Sequence, residues 1–478
     1  MMIESFHRTI AKRFEFRAND TSLRTETVAG ITTFFTMAYI VFVQPAVLSG
    51  AMFGTETGMD FGALTSATCL SAALATALMG ALARYPIALA PGMGQNFFFV
   101  FSALPAAAAA GHENPWQTGL GVIFISGALF LVLSLSGIRE KLMNLTSRSM
   151  SGGIGVGIGL FIAFVGLRNA GVVTTDPGTA VKLNPNLASP DSLIFFLGLV
   201  LTAGLCSRGV RGGILWGIVA TTLAACVLKL AVSALPESVA LAMAVPDSML
   251  AGRFQFADTL VSAPASLSPL FLKMDLAAAC STAMIPFIVA FLFMDVFDTM
   301  GTLLGVGERA GLMKEGRLPR ARRAMMADAV GTVAGAAMGT STVTSYIESA
   351  AGVEQGGRTG FTALVVAGMF LLALFFGPVI AMVGSYPPIT APALVMVGAM
   401  MMRGASKIDW DDLTESLPAF LIMIGIPFSF SIGDGLAIGF ISYPIIKTLA
   451  GRARELKWPS IAVSVALIFY FVLVRSRM

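Results

Sequence analysis

Two aspartates, Asp295 and Asp298, stand in the run FLFMDVFDTMGTLLG (residues 291–305), which is otherwise almost wholly apolar. On a helix, residues three apart lie about 60° apart around the axis, so these carboxylates share one face, and Thr299 and Thr302 extend it. A carboxylate in hydrocarbon is costly, and acids at membrane depth mark functional sites by default. They accept hydrogen bonds from a polar ligand, hold a proton, or both. A third acid, Glu348, follows the hydroxyl-rich run GTSTVTS (339–345). It falls near the start of a half-helix expected from about Ser345, where backbone N–H groups and the positive end of the dipole favour a carboxylate. Asn96 takes the corresponding place after an earlier break, YPIALAPGMGQNFF (85–98). Each acid also has a structural reading, as Asp298 bonded to Thr302 or to exposed backbone. Asp328, close to a basic cluster, reads as structural. Phe97, Phe98 and Phe99 read as packing residues, one of which can stack on a planar ligand. Glu354 and Arg358 are expected to interact locally.

The elements that must position these groups are membrane helices. The chain has 478 residues, of which 56% are hydrophobic and only 12% charged, and its mean hydropathy is +0.81. A soluble domain of this length has no use for that much apolar surface, so the class is an all-α polytopic membrane protein. The 50 glycines suit close helix packing and broken helices. A net charge of +4 gives no reason to expect nucleic acid as a partner. Cys69, Cys206, Cys226 and Cys280 lie in apolar stretches without metal-ligand spacing and read as packing residues. His7 and His112 fall outside the apolar runs, which argues against a histidine metal site. The first apolar run is too long for a secretory signal.

A helix needs about 20 apolar residues to cross the hydrocarbon. Fourteen spans are expected, near 27–49, 63–83, 87–104, 118–138, 150–171, 192–207, 212–232, 279–306, 321–338, 340–352, 360–384, 387–403, 414–430 and 434–450. A further apolar stretch, 458–474, is flanked by basic residues and can span or lie at the interface. With the N-terminus inside, most of the 31 Lys and Arg, including the cluster Arg309–Arg323, fall in inner segments, and Arg168, Lys182, Lys229, Arg253 and Lys273 are outer. The outer loop 233–275 divides the spans into two groups of seven. Seven is odd, so the second group enters the membrane with inverted orientation, as in secondary transporters. The third span of each group is interrupted: Pro91, Gly92 and Gly94 cannot continue a good helix, and residues 340–344 read as a short strand. Unwound backbone at membrane depth is tolerated where it is buried in protein or lines a cavity, so the two breaks point to one shared site.

The segments RTETVAGITTFFTMAYIVFVQP (24–45), APGMGQN (90–96), FDTMGTLLG (297–305) and GTSTVTSYIESAAGVEQGGRTG (339–360) resemble the AzgA-like purine permeases of the nucleobase–cation symporter (xanthine/uracil permease) superfamily. The resemblance runs from about residue 20 to the C-terminus. It implies fourteen transmembrane segments in two inverted seven-span repeats, with a core domain moving against a gate domain. Transferred here, 1–25 is a cytoplasmic N-terminal segment, 26–138 and 276–384 are the two parts of the core, and 139–233 and 385–450 are the two parts of the gate. Segment 234–275 is an extracytoplasmic loop, and 451–478 is a basic C-terminal segment with the extra apolar helix. The location implied is the cytoplasmic (inner) membrane.

The resemblance also implies uptake of hypoxanthine, guanine or adenine driven by protons, with no other cofactor, no metal and no catalytic residues. The family's polar positions fall on Gly94, Asn96, Asp295, Asp298 and Glu348. This chain departs from the family at Gln95, where a leucine is common, and at Phe97, where an alanine is common. The base is then expected between the two broken spans, with its N–H groups on Glu348 and Asp295. Asp298, Thr299, Gln95 and backbone near Gly94, Thr342 and Ser345 complete the site, and Phe34 or Phe35 stacks on the ring. Burial disfavours the charged form of a carboxylate, so Glu348 or Asp295 is expected to carry the proton. A homodimer is compatible with this reading, but no feature specifies one. Three rivals remain open: transport of another planar nitrogen heterocycle, as the changes at Gln95 and Phe97 allow; an anion transporter of the sulfate-permease type on the same fold; and an intramembrane aspartyl protease suggested by FDTMG and SIGDG (431–435).

Overall fold

With no water to bond the backbone inside hydrocarbon, apolar runs of this length must satisfy their own N–H and C=O groups, and the α-helix does so. The computed structural model describes residues 11–136, 147–232, 248–313 and 318–456, together with 460, 461, 464, 465, 467 and 468. Among them, ten helical stretches are long and apolar enough to cross a membrane: α1 Leu23–Leu48, α2 Phe61–Ala83, α4 Pro115–Ser136, α5 Arg148–Asn169, α6 Pro190–Ser207, α7 Gly213–Val232, α8 Ile285–Arg309, α11 Gly360–Gly384, α12 Pro387–Lys407 and α14 Ile432–Leu449. Four further segments bear on the site and its frame. They are α3 Met93–Phe98, α9 Ala321–Met338, α10 Ser349–Glu354 and α13 Leu413–Ser429. Among the described residues, ten of the fourteen expected spans are matched by helices long and apolar enough to cross. By length and composition alone, those four fall short of spanning helices.

Two strands replace helix at the breaks. Strand β1, Leu89–Pro91, leads into α3, and β4, Val343–Ser345, leads into α10. The second strand starts three residues later than the expected 340–344. Gly339, at φ +99°, ends α9 in a left-handed turn, and the backbone becomes extended only after Thr342. The half-helix expected from Ser345 correspondingly begins at Ser349. A second pair, β2 Val173–Asp176 and β3 Ala180–Leu183, forms a hairpin in the loop after α5. Its Asp-Pro-Gly turn was a readable signal. Most of 458–474 lies outside the described residues, as do the ends of the chain.

The helices pack in two sets. In the first, α1, α2, α4, α8, α9, α10 and α11 lie against one another, and in the second α5, α6, α7, α12, α13 and α14 do so. Small residues permit the closest crossings. A Cβ on Gly80 of α2 would fall 2.5 Å from the Gly360 carbonyl of α11, and one on Gly398 of α12 would fall 2.4 Å from the Gly159 carbonyl of α5. Segment α3 belongs to the seam between the sets. The Phe97 ring lies 6.0 Å from Phe161 of α5, Phe101 lies 5.1 Å from Phe430, and Ser102 Oγ lies 3.3 Å from Ser431 Oγ. The Arg168 guanidinium covers Phe430 at 5.2 Å. At the other end of α13 from Phe430, the Thr414 hydroxyl and the Arg452 guanidinium hold the pKa of the capping Asp412 carboxyl down at about 2.

Candidate functional site

The two breaks meet. Strands β1 and β4 pair antiparallel, with Leu89 opposite Ser345 and Pro91 opposite Val343. The ladder continues at both ends, Gly92 N–H to the Thr342 carbonyl at 2.9 Å and Tyr346 N–H to the Ala88 carbonyl at 3.0 Å. Each strand is also clamped by one threonine from the helix that precedes it. Thr76 Oγ1 on α2 bonds both N–H and C=O of Leu89 (2.9 and 2.8 Å). Thr332 Oγ1 on α9 bonds both N–H and C=O of Val343 (3.1 and 3.0 Å). These bonds satisfy buried backbone groups that would otherwise be orphaned.

One face of α8 lies open beside this junction. Asp298 is exposed although its neighbours Asp295, Val296 and Thr299 are buried. Gly301, also exposed, has no atom within 4 Å of where a Cβ would stand, and Gly305 and Glu308 continue the stripe toward the basic end of the helix. Glu348, half-buried at the N-cap of α10, accepts the Tyr39 hydroxyl at 2.8 Å. Gln95 Nε2 donates to Asp298 Oδ2 at 3.3 Å. Tyr346 donates to the Pro91 carbonyl at 2.5 Å and lies within the electrostatic reach of both Asp298 and Glu348. The accessible groups of this hollow are therefore two carboxylates, which are hydrogen-bond acceptors, backed by the buried Tyr39, Gln95 and Tyr346.

The other expected residues sit elsewhere. Asp295 is wholly buried and turned toward α9, where Thr332 donates to it at 3.0 Å. The 60° that separates it from Asp298 suffices to change its surroundings from water to packed helix. Thr299 is buried and bonds Asp328 at 2.5 Å and Thr344 at 2.9 Å. Ser345 donates to Asp328 at 3.3 Å. Asn96 is consumed by protein: its amide N–H donates to Gln44, it accepts from Ser341, and Gln44 in turn donates to Thr340 at 2.7 Å. Thr342 is buried with its hydroxyl unpartnered. Gly94 faces α5, where a Cβ would meet Ile158 at 3.0 Å. Phe34 packs on Phe370 at 5.2 Å, and Phe35 packs on Trp216 of the second set at 6.5 Å.

Tyr39, Gln44, Tyr346 and Asp328 escaped the sequence reading as site components. For Gln44 and Asp328 a signal existed, since each is a polar residue in an apolar run. Asp328 takes hydroxyl partners and not the basic cluster nearby: Arg322 and Arg323 are exposed at the start of the same helix.

Residues 24–438 match the Xan_ur_permease model, described as a permease family. The chain is 46% identical to a putative permease of Methanocaldococcus jannaschii, over 97% of this chain and 98% of that one. It is 41% identical to the guanine/hypoxanthine permease PbuG of Bacillus subtilis, over 97% and 99%. It is 40% identical to the adenine permease AdeP of Escherichia coli, over 96% and 95%. Among solved structures, the transmembrane domain of the cyanobacterial bicarbonate transporter BicA shares the fold with a TM-score of 0.58 at 14% identity, covering 90% of this chain and 97% of that one. The structure of SLC26A9 does so with a TM-score of 0.59 at 10% identity, covering 94% and 70%. The relatives are transport proteins, which removes the protease reading. With the family model matched over most of its length, the chain is a multi-pass membrane protein belonging to the xanthine/uracil permease family.

Proposed function

We propose that this permease takes up a purine base of the hypoxanthine, guanine and adenine class, together with a proton, across the cytoplasmic membrane. The observation that carries the reading is the pair of accessible carboxylates, Asp298 and Glu348, at the meeting of two broken helices. A purine is flat, uncharged and rich in N–H donors, and these acids are acceptors for such donors. Tyr39, Tyr346 and Gln95 supply polar groups and ring edges around it. The names of the relatives, guanine/hypoxanthine and adenine permeases, support the same class of cargo. An inorganic anion would meet both carboxylates at this place, and like charge disfavours it.

Transport follows as a movement of the first helix set, which holds both breaks, against the second set. The seam between them at α3 is mostly aromatic and van der Waals contact, which can slide. The face of α8 from Asp298 to Glu308 is open, and the Phe97, Phe101, Phe161 and Phe430 cluster closes the seam beside α3. With the N-terminus inside, this arrangement is the inward-open one.

The test is uptake of radiolabelled hypoxanthine, guanine and adenine into proteoliposomes under an imposed proton gradient, with and without an uncoupler. Accumulation of at least one base that collapses with the uncoupler is expected. Failure of every purine to be taken up or to compete would overturn the cargo, and accumulation indifferent to the uncoupler would overturn the coupling.

A further inference from the structure

Asp295 on α8 and Asp328 on α9 form an interlocked pair behind β4. Each opens an Asp-x-x-x-Thr repeat on its own helix, Asp295 with Thr299 and Asp328 with Thr332. Each threonine faces the acid of the other helix: Thr332 Oγ1 lies 3.0 Å from Asp295 Oδ2 and shares its one proton between that oxygen and the Val343 carbonyl, and Thr299 donates to Asp328 Oδ2 at 2.5 Å. Both acids are 0% exposed, and each keeps one oxygen, Oδ1, without a hydrogen-bond partner. The charged groups that bear on them are again acids, Asp328 and Asp298 on Asp295, and Asp298 on Asp328. Among the described residues, the elements packed around them bring no cation to their side. Helix α4 and β4 carry no titratable residue, α2 carries the thiol of Cys69, and Arg322, Arg323, Glu308 and Arg309 stand exposed at the ends of α9 and α8. Two neighbouring carboxylates removed from water, with no counter-charge beside them, do not both stay ionised.

We propose that Asp295 and Asp328 bind one proton at their unpartnered oxygens and that this is the proton coupled to uptake, so that proton and base occupy separate places. The step moves a proton only: one carboxylate oxygen gains it on the side of higher proton concentration and loses it to water on the other. Two short paths tie the pair to the hollow. Asp298 lies three residues along α8 from Asp295. Ser345, which bonds Asp328, lies three residues before Glu348. Binding the proton removes the repulsion between the pair and lets α8, α9 and β4 hold one arrangement, in which both cavity acids are set for the base. The assignment deepens the proton-coupled reading above and depends on it.

The experiment measures hypoxanthine and adenine affinity against pH on the purified full chain, for wild type, Asp295→Asn and Asp328→Asn. An amide imitates the protonated acid in size and in its donor. Wild-type affinity should fall with rising pH, by up to about tenfold per pH unit for one linked proton. Either Asn variant alone should bind at alkaline pH as wild type does at acid pH, with the pH dependence flattened, and should exchange base without accumulating it against a gradient. Thr299→Val, which removes a donor to the charged pair, should move the midpoint of the profile toward alkaline pH. Should the Asn variants not fold, this shift and the uptake of one proton per base bound by wild type, read with a pH-indicator dye, decide the matter. Wild type that is proton-driven alongside Asn variants with an unaltered pH profile would overturn the assignment alone. Dependence of wild-type uptake on sodium in place of protons would overturn it together with the proton-coupled reading.

Discussion

The two breaks use the same backbone device with different side chains. In each half, a threonine on the preceding helix clamps the first residue of a three-residue strand, Thr76 on Leu89 and Thr332 on Val343, and the strand hands the chain to a short helix. Beyond that the halves part. In the first, the polar residue after the strand, Asn96, is buried and spent on Gln44 and Ser341. In the second, Glu348 stays half-open to water, held by Tyr39. The first clamp stands in apolar surroundings, whereas Thr332 of the second also serves the buried acid Asp295. An inverted repeat supplies a matched pair of scaffolds. Here one has become mainly a brace, and the other carries the ligand and proton chemistry.

The comparison is broken most directly at Glu348. Glu348→Gln keeps the shape and the Tyr39 contact but removes the charge. A hydrogen bond to a charged group contributes about 1.5–3 kcal/mol, so base affinity is expected to fall on the order of tenfold to a hundredfold. Calorimetric titration with hypoxanthine and adenine, alongside melting curves, checks it. Affinity close to wild type would mean that the second break is no more the ligand-binding half than the first.

The clamps provide a stability test of the same contrast. Thr76→Val and Thr332→Val each leave a buried backbone N–H and C=O without their partner, at a cost of about 1–3 kcal/mol per orphaned group. Thr332→Val also strips Asp295 of its donor, so it should lower the melting temperature more than Thr76→Val does. Equal losses would indicate that the Asp295 bond adds nothing to the second half.

Much of this arrangement was legible in the residues themselves. The apolar runs locate the helices closely, as with 118–138 against the observed Pro115–Ser136, because length and hydropathy decide a membrane helix nearly alone. Both breaks were visible in Pro91, Gly92 and the threonine run after Gly339. The second strand was misplaced by three residues because Thr340 and Thr342 have strand-like side chains, but the left-handed turn at Gly339 delays the extended backbone. The site was legible as a list of acids and not as an arrangement. Whether Asp295 or Asp298 meets water depends on where α9 packs against α8, and a 60° rotation on one helix cannot be assigned without its neighbour. Asn96 looked like a ligand-binding residue because its two partners, Gln44 and Ser341, come from distant positions in the chain.

The smallest effect is expected at Gln95, the one side chain of the first break that bonds an acid of the hollow. Its bond to Asp298 is long at 3.3 Å, and Asp298 is open to water, so losing it should cost no more than an ordinary net hydrogen bond, about 0.5–1.5 kcal/mol. The Gln95 side chain also fills the space over Gly92, where a Cβ would stand 2.2 Å from Gln95 Oε1, so a leucine of similar volume keeps the packing. Gln95→Leu should therefore weaken base binding only severalfold, leave the melting temperature near wild type, and change the ranking of hypoxanthine against adenine more than the mean affinity. A loss as deep as that of Glu348→Gln would place the two breaks on an equal footing toward the ligand, and the division of labour between the halves would have to be given up.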